Sequence, residues 1–86
     1  MELKNYMEIV VEDVVDKELS RMNEEWAKSP KPKLDIMALI LNRLPARYIV
    51  TEKGRIMTKI TETEVQFQAD ILRELVKAVD VVRKNP

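Results

Sequence analysis

The chain has no cysteine and no histidine. Disulfides, thiol nucleophiles and zinc sites built from Cys or His are therefore excluded. The side chain that usually moves protons near neutral pH is missing too. A single glycine cannot build a glycine-rich phosphate loop. No apolar run approaches the ~18 residues that span a bilayer. An excess of charge of one sign is also absent: 15 basic residues meet 15 acidic ones. That balance argues against a general nucleic-acid or membrane binder, which would carry a basic excess.

What remains fits one small folded domain over residues 1–86. Hydrophobic residues make up 45% of the chain, too many for disorder. A domain of this size buries only roughly 60–65% of its unfolded surface. Small helical chains often remedy this by pairing. The opening MELKNYMEIVVED carries acids inside its apolar pattern and does not read as a secretory signal, so a cytoplasmic location is expected.

Three helices are expected, long, short and long. The first runs from about Leu3 to Trp26, with apolar residues recurring at steps of three and four. Ala27–Lys33 reads as a linker, because Pro30 and Pro32 each lack a helix donor and push the preceding residue toward extended geometry. Its lysines read as a solvated charge run. The second helix is expected from Leu34 or Asp35 to near Leu44. It is apolar all round, as in a buried helix. Tyr48–Thr51 is extended by propensity, Glu52-Lys53-Gly54 reads as a turn, and Arg55–Lys59 extends again. The fold class is mainly α, with a short extended segment or hairpin near 48–59.

The third helix begins at the capping pattern Thr61-Glu-Thr-Glu64 and ends at Lys84-Asn85-Pro86. It carries two apolar stripes. One is Val65, Ala69, Leu72, Val76 and Val79. The other is Gln68, Ile71, Leu75, Ala78 and Val82. Together they are wider than one small core needs, so part is expected to pack on a second copy of the chain.

Catalysis finds no support. Ser20 and Ser29 have no histidine to activate them, and paired acids such as Glu12 and Asp13 lie on solvent-facing turns. The expectation is a non-enzyme without cofactor or metal. Trp26 and Phe67 read as core anchors. The ligand-binding candidates are Asn42, Arg43, Arg47 and Tyr48, where the apolar run Ile36–Leu41 meets hydrogen-bond donors around Pro45. The cluster suits a structural corner, with Asn42 capping carbonyls and Arg43 paired to a carboxylate of the first helix. It also suits an anion site, with Arg43 and Arg47 forking a phosphate and Tyr48 stacking on a base. In a symmetric dimer the cluster appears twice, which matches a two-phosphate, two-base ligand.

The segments NYMEIVVEDVVDKEL, LDIMALILNRLPARYIVTEKG and QFQADILRELVKAVDVVRKNP resemble the late competence development protein ComFB family over nearly the whole chain. LNRLP-x-RY is the most specific part. The resemblance implies a small, mainly helical, dimeric, non-enzymatic protein associated with bacterial competence. Some cyanobacterial relatives are linked to sensing the cyclic dinucleotides c-di-AMP or c-di-GMP. The expectation is a regulatory homodimer that binds a cyclic dinucleotide. The alternative is a protein-interaction module that meets a regulatory partner without a small ligand. Several family members carry zinc-binding cysteines between the first two helices; here that connector is WAKSPKPK, so the zinc role does not transfer.

Overall fold

A computed structural model describes residues 1–52, 55–56 and 64–84. The chain begins with a strand, β1 (Glu2–Asn5), and turns directly into helix α1 (Tyr6–Arg21). A 3₁₀ turn (Glu25–Lys28) leads into α2 (Pro30–Arg43), β2 (Tyr48–Glu52), β3 (Arg55–Ile56) and α3 (Glu64–Lys84). The expected mainly helical class, with three helices and a hairpin near 48–59, is what the chain adopts. Lys53 and Gly54 of the expected turn, the Thr61 cap and the Asn85-Pro86 end lie outside the described residues.

Three boundaries differ from expectation, each for a physical reason. First, Leu3 belongs to a strand and not to α1. β1 pairs antiparallel with β2, Leu3 opposite Val50 and Asn5 opposite Tyr48, giving a sheet of order β1-β2-β3. Asn5 is the N-cap of α1, its Oδ1 accepting the Met7 N–H at 3.2 Å. Second, α1 stops at Arg21, where the Met22 N–H donates to the Leu19 carbonyl at 3.1 Å and the backbone becomes extended. Trp26 therefore sits in the 3₁₀ turn. Third, Pro30 and Pro32 start α2 and do not precede it. The first four N–H groups of a helix have no intrahelical acceptor, so a proline there forfeits nothing.

The core is one cluster. Met7, Val11, Val15 and Leu19 recur every four residues along α1 and meet Ile36 and Ile40 of α2. Ile71, Leu75, Ala78, Val79 and Val82 of α3 close it, with Ala27 beneath the connector. Val11, Val15, Ile36, Ile40 and Ile71 are wholly buried. Each such side chain contributes about 1.5–3 kcal/mol of transfer free energy. The α2 helix is enclosed by the two longer helices of its own chain, but it is not buried all round: Leu34 and Leu39 face water.

The lysines of the connector are not simply solvated. Lys33 bridges Asp16 at 3.0 Å and Glu12 at 3.1 Å, clamping the start of α2 to α1. Lys28 reaches Glu25 and Lys31 reaches Asp35, within their own elements. No helix among the described residues is long and apolar enough to cross a membrane.

Candidate functional site

The α2–β2 corner is built from the backbone outward. α2 ends at Arg43, where Leu44 turns extended and its N–H donates to the Ile40 carbonyl at 3.1 Å. Pro45 cannot continue the helix. The chain is then hooked to the start of α1. Asn5 Oδ1 accepts the Arg47 N–H at 2.7 Å, and the Tyr6 N–H donates to the Arg47 carbonyl at 2.5 Å. Both the N–H and the C=O of Arg47 are thus held, and Tyr48 starts β2 from that fixed point.

The four candidate residues are all exposed. Asn42 and Arg43 ride the last turn of α2. Arg43 leans toward α3, with Nε 4.0 Å from Glu74 Oε2, and lines a recess of about 40 Å³ beside Leu39, Lys77 and Val81. Its carboxylate partner is therefore on α3 and not on α1 as expected. Glu74 is also approached by Lys77 at 3.5 Å. Arg47 lays its guanidinium over the ring of Phe67, 4.5 Å from the centroid. This is a cation–π stack that leaves the guanidinium edge for an anion. Tyr48 points elsewhere, into a cleft of about 360 Å³ shared with Leu3, Ile9, Met37, Glu8 and Glu12.

Two of the four are thus not neighbours in space in the way their sequence suggests. Arg43 and Tyr48 line separate recesses on different sides of the corner. Arg43 and Arg47 stand at either end of the same short turn, one directed to α3 and the other to Phe67. Phe67 is a platform for Arg47 and only half-buried, so its expected role as a core anchor is incomplete. A first helix starting near Leu3 gives Asn5 no capping role, and Glu8 reads there as part of a solvated acidic face. The signal was present as Asn5-x-x-Glu8, a capping pattern at the true start of α1.

A second surface is defined by α3. Of its two stripes, Ile71, Leu75, Ala78 and Val82 are buried in the core, and Val79 joins them. Ala69, Leu72 and Val76 of the other stripe face outward, with Leu72 43% and Val76 71% exposed. Beside them runs a groove of about 520 Å³ between α1 and α3, floored by Met22, Val76 and Val79 and rimmed by Glu18, Asp80 and Arg83.

The connector holds neither cysteine nor histidine. Its best donor, Glu24, is taken by the Trp26 indole N–H and by Arg83. Among the described residues no group of three or more acidic side chains is gathered as a metal site.

The family model described as late competence development protein ComFB matches residues 4–86. Comparison with curated proteins and with solved structures found no match.

Proposed function

This chain belongs to the late competence development protein ComFB family, and we propose from that premise that it regulates by binding and not by catalysis. Membership makes it a competence-associated protein. The proposed working form is a homodimer joined through α3. One observation carries this: α3 packs Ile71, Leu75, Ala78, Val79 and Val82 into its own core and leaves Leu72 and Val76 exposed. Leu72 and Val76 lie on an exposed face flanked by charges of both signs, Lys17, Glu18, Arg21 and Asp80. Such a face is self-complementary across a two-fold axis. Light scattering is expected to give twice the 10.1 kDa of one chain. Val76→Glu is expected to halve it. A wild-type mass of one chain removes the reading.

The ligand proposed for that dimer is a cyclic dinucleotide. Arg43 and Arg47 support it, because both guanidiniums are exposed at the ends of one turn and a two-fold axis would double them. Asn42 adds an exposed amide on the same turn of α2 as Arg43. Tyr48 offers a ring for base stacking, although Glu8 and Glu12 beside it leave phosphate contacts to the arginines. Calorimetry with c-di-AMP and c-di-GMP tests this. Arg43→Ala and Arg47→Ala are each expected to weaken binding about tenfold, the size of one charge-assisted hydrogen bond. Absence of heat with either nucleotide, on folded protein, removes the ligand and leaves a protein partner as the function.

A further inference from the structure

The α2–β2 corner meets α3 at two points. Arg43 leans toward Glu74, and Arg47 lies over Phe67. Phe67 and Glu74 are about two turns apart, so the ring and the carboxylate stand on one side of the helix. The two contacts differ in what they do to the charge. Arg43 and Lys77 both approach a carboxylate that is 14% exposed. Arg47 meets a ring, which attracts the guanidinium but has no charge to cancel it. Among the lysines and arginines whose side chains are described, Arg47 alone pairs with no carboxylate.

This unneutralised cation is also held in place. Asn5 Oδ1 accepts the Arg47 N–H at 2.7 Å, and the Tyr6 N–H donates to its carbonyl at 2.5 Å. Phe67 holds the other end of the residue, with the guanidinium 4.5 Å from the ring centroid. Only the aliphatic stem between these anchors is left to move. An exposed arginine loses rotamer freedom when it fixes its donors on an anion. One that is already stacked loses less, and its fork keeps a set direction.

We infer that Phe67 is a positioning residue for anion recognition: it holds the Arg47 guanidinium without neutralising it, so that the free edge of the fork is presented to a phosphate. This rests on the reading of the corner as the site of a phosphate-bearing ligand, and it adds a residue that acts through Arg47. A carboxylate at position 67 would hold the arginine but cancel its charge. An aliphatic side chain would leave the charge and lose the hold. The half-buried aromatic ring meets both needs.

The test is calorimetry on the full chain with c-di-AMP and c-di-GMP. Phe67→Leu is expected to weaken binding roughly two- to fivefold, the share of an exposed cation–π contact, and Phe67→Tyr to keep wild-type affinity. Added to Arg47→Ala, Phe67→Leu is expected to cost nothing further, because its effect runs through the missing guanidinium. Affinity in Phe67→Leu should fall with salt as steeply as in the wild type, since the cation remains, and less steeply in Arg47→Ala. Arg47→Lys, at an exposed position, keeps the charge without the planar stack and should also weaken binding. The stack has its own readout without ligand: the ring moves the Arg47 Nε–H resonance upfield in the wild type and in Phe67→Tyr, and not in Phe67→Leu. Wild-type affinity in Phe67→Leu, or an undiminished further loss when it joins Arg47→Ala, overturns the positioning role and leaves the ligand reading standing. Absence of heat with both nucleotides in the folded wild type removes that reading, and the role with it.

Discussion

The guanidinium of Arg83 lies over the ring of Trp26, 5.7 Å from its centroid, and donates to Glu24 at 3.0 Å. The Trp26 indole N–H donates to the same carboxylate. Arg83 and Glu24 are 59 positions apart. The last turn of α3 is thereby tied to the connector between α1 and α2, without metal or disulfide. Each contact is partly solvated, so each is modest.

Arg83→Ala is expected to cost about 0.5–1.5 kcal/mol and to shift Trp26 emission to the red, as water replaces the guanidinium. Trp26 is the only tryptophan, so the emission reports this one indole and its surroundings. Arg83→Lys keeps the charge but loses the planar stack, and should recover only part of the effect. Unchanged emission in Arg83→Ala would show that the stack does not persist in solution.

Ile36→Ala or Ile40→Ala is expected to destabilise by about 2–5 kcal/mol in urea unfolding, because both sites are wholly buried at the centre of the three-helix contact. A small domain has only about 5–15 kcal/mol in total, so either loss is a large share of it. Leu34→Ala, two positions before Ile36 but exposed, should cost well under 1 kcal/mol. Similar losses at Leu34 and Ile36 would contradict the orientation of α2.

Asn5→Ala removes one acceptor from two backbone donors, those of Met7 and Arg47. The expected loss is about 1–2 kcal/mol. Asn5→Asp keeps an acceptor and adds a negative charge at a helix N-terminus, and should hold wild-type stability. If Asn5→Ala proves neutral in thermal unfolding, the hook is not formed.

Lys33 gives the fold an alkaline limit. Hydrogen bonds to Asp16, then to Glu12, raise its pKa above the ordinary lysine value of 10.5. The folded state therefore holds the proton more tightly than the unfolded state. That contribution is fully present below about 10.5 and is lost as pH rises through the raised folded value. Wild-type urea midpoints should fall between pH 9 and 12, and Lys33→Met should fall less. Parallel curves for the two proteins would show that the clamp adds nothing.

The helical core was legible because its period was regular. Ile71, Leu75, Ala78 and Val82 of α3 fall where a 3.6-residue repeat puts them, and the surplus stripe at Leu72 and Val76 is indeed outside. β1 was not legible. Four residues, two of them charged, carry no alternation of their own, and their pairing depends on β2 more than 40 positions later. The end of α1 was hidden because Met22 and Trp26 continue the apolar spacing across a break in the backbone. The prolines misled because their cost depends on position: within the first turn they remove donors that had no acceptor. The corner shows the same dependence. A spacing of four brings Arg43 and Arg47 side by side only while a helix lasts, and α2 ends at Arg43. The two side chains then answer to different neighbours, Glu74 and Phe67.

A helix cap is usually a local device, complete once the first turn has nucleated. The cap on α1 is not. The oxygen of Asn5 that serves Met7 also serves Arg47, 42 positions along the chain, and Tyr6 returns a bond to the same residue. The first turn of α1 and the start of β2 are therefore expected to open as one cooperative unit, with the amides of Met7 and Arg47 exchanging at a common free energy. Anything that pulls β2 from the sheet also unwinds the beginning of α1, so a disturbance at residue 47 is felt at residue 7.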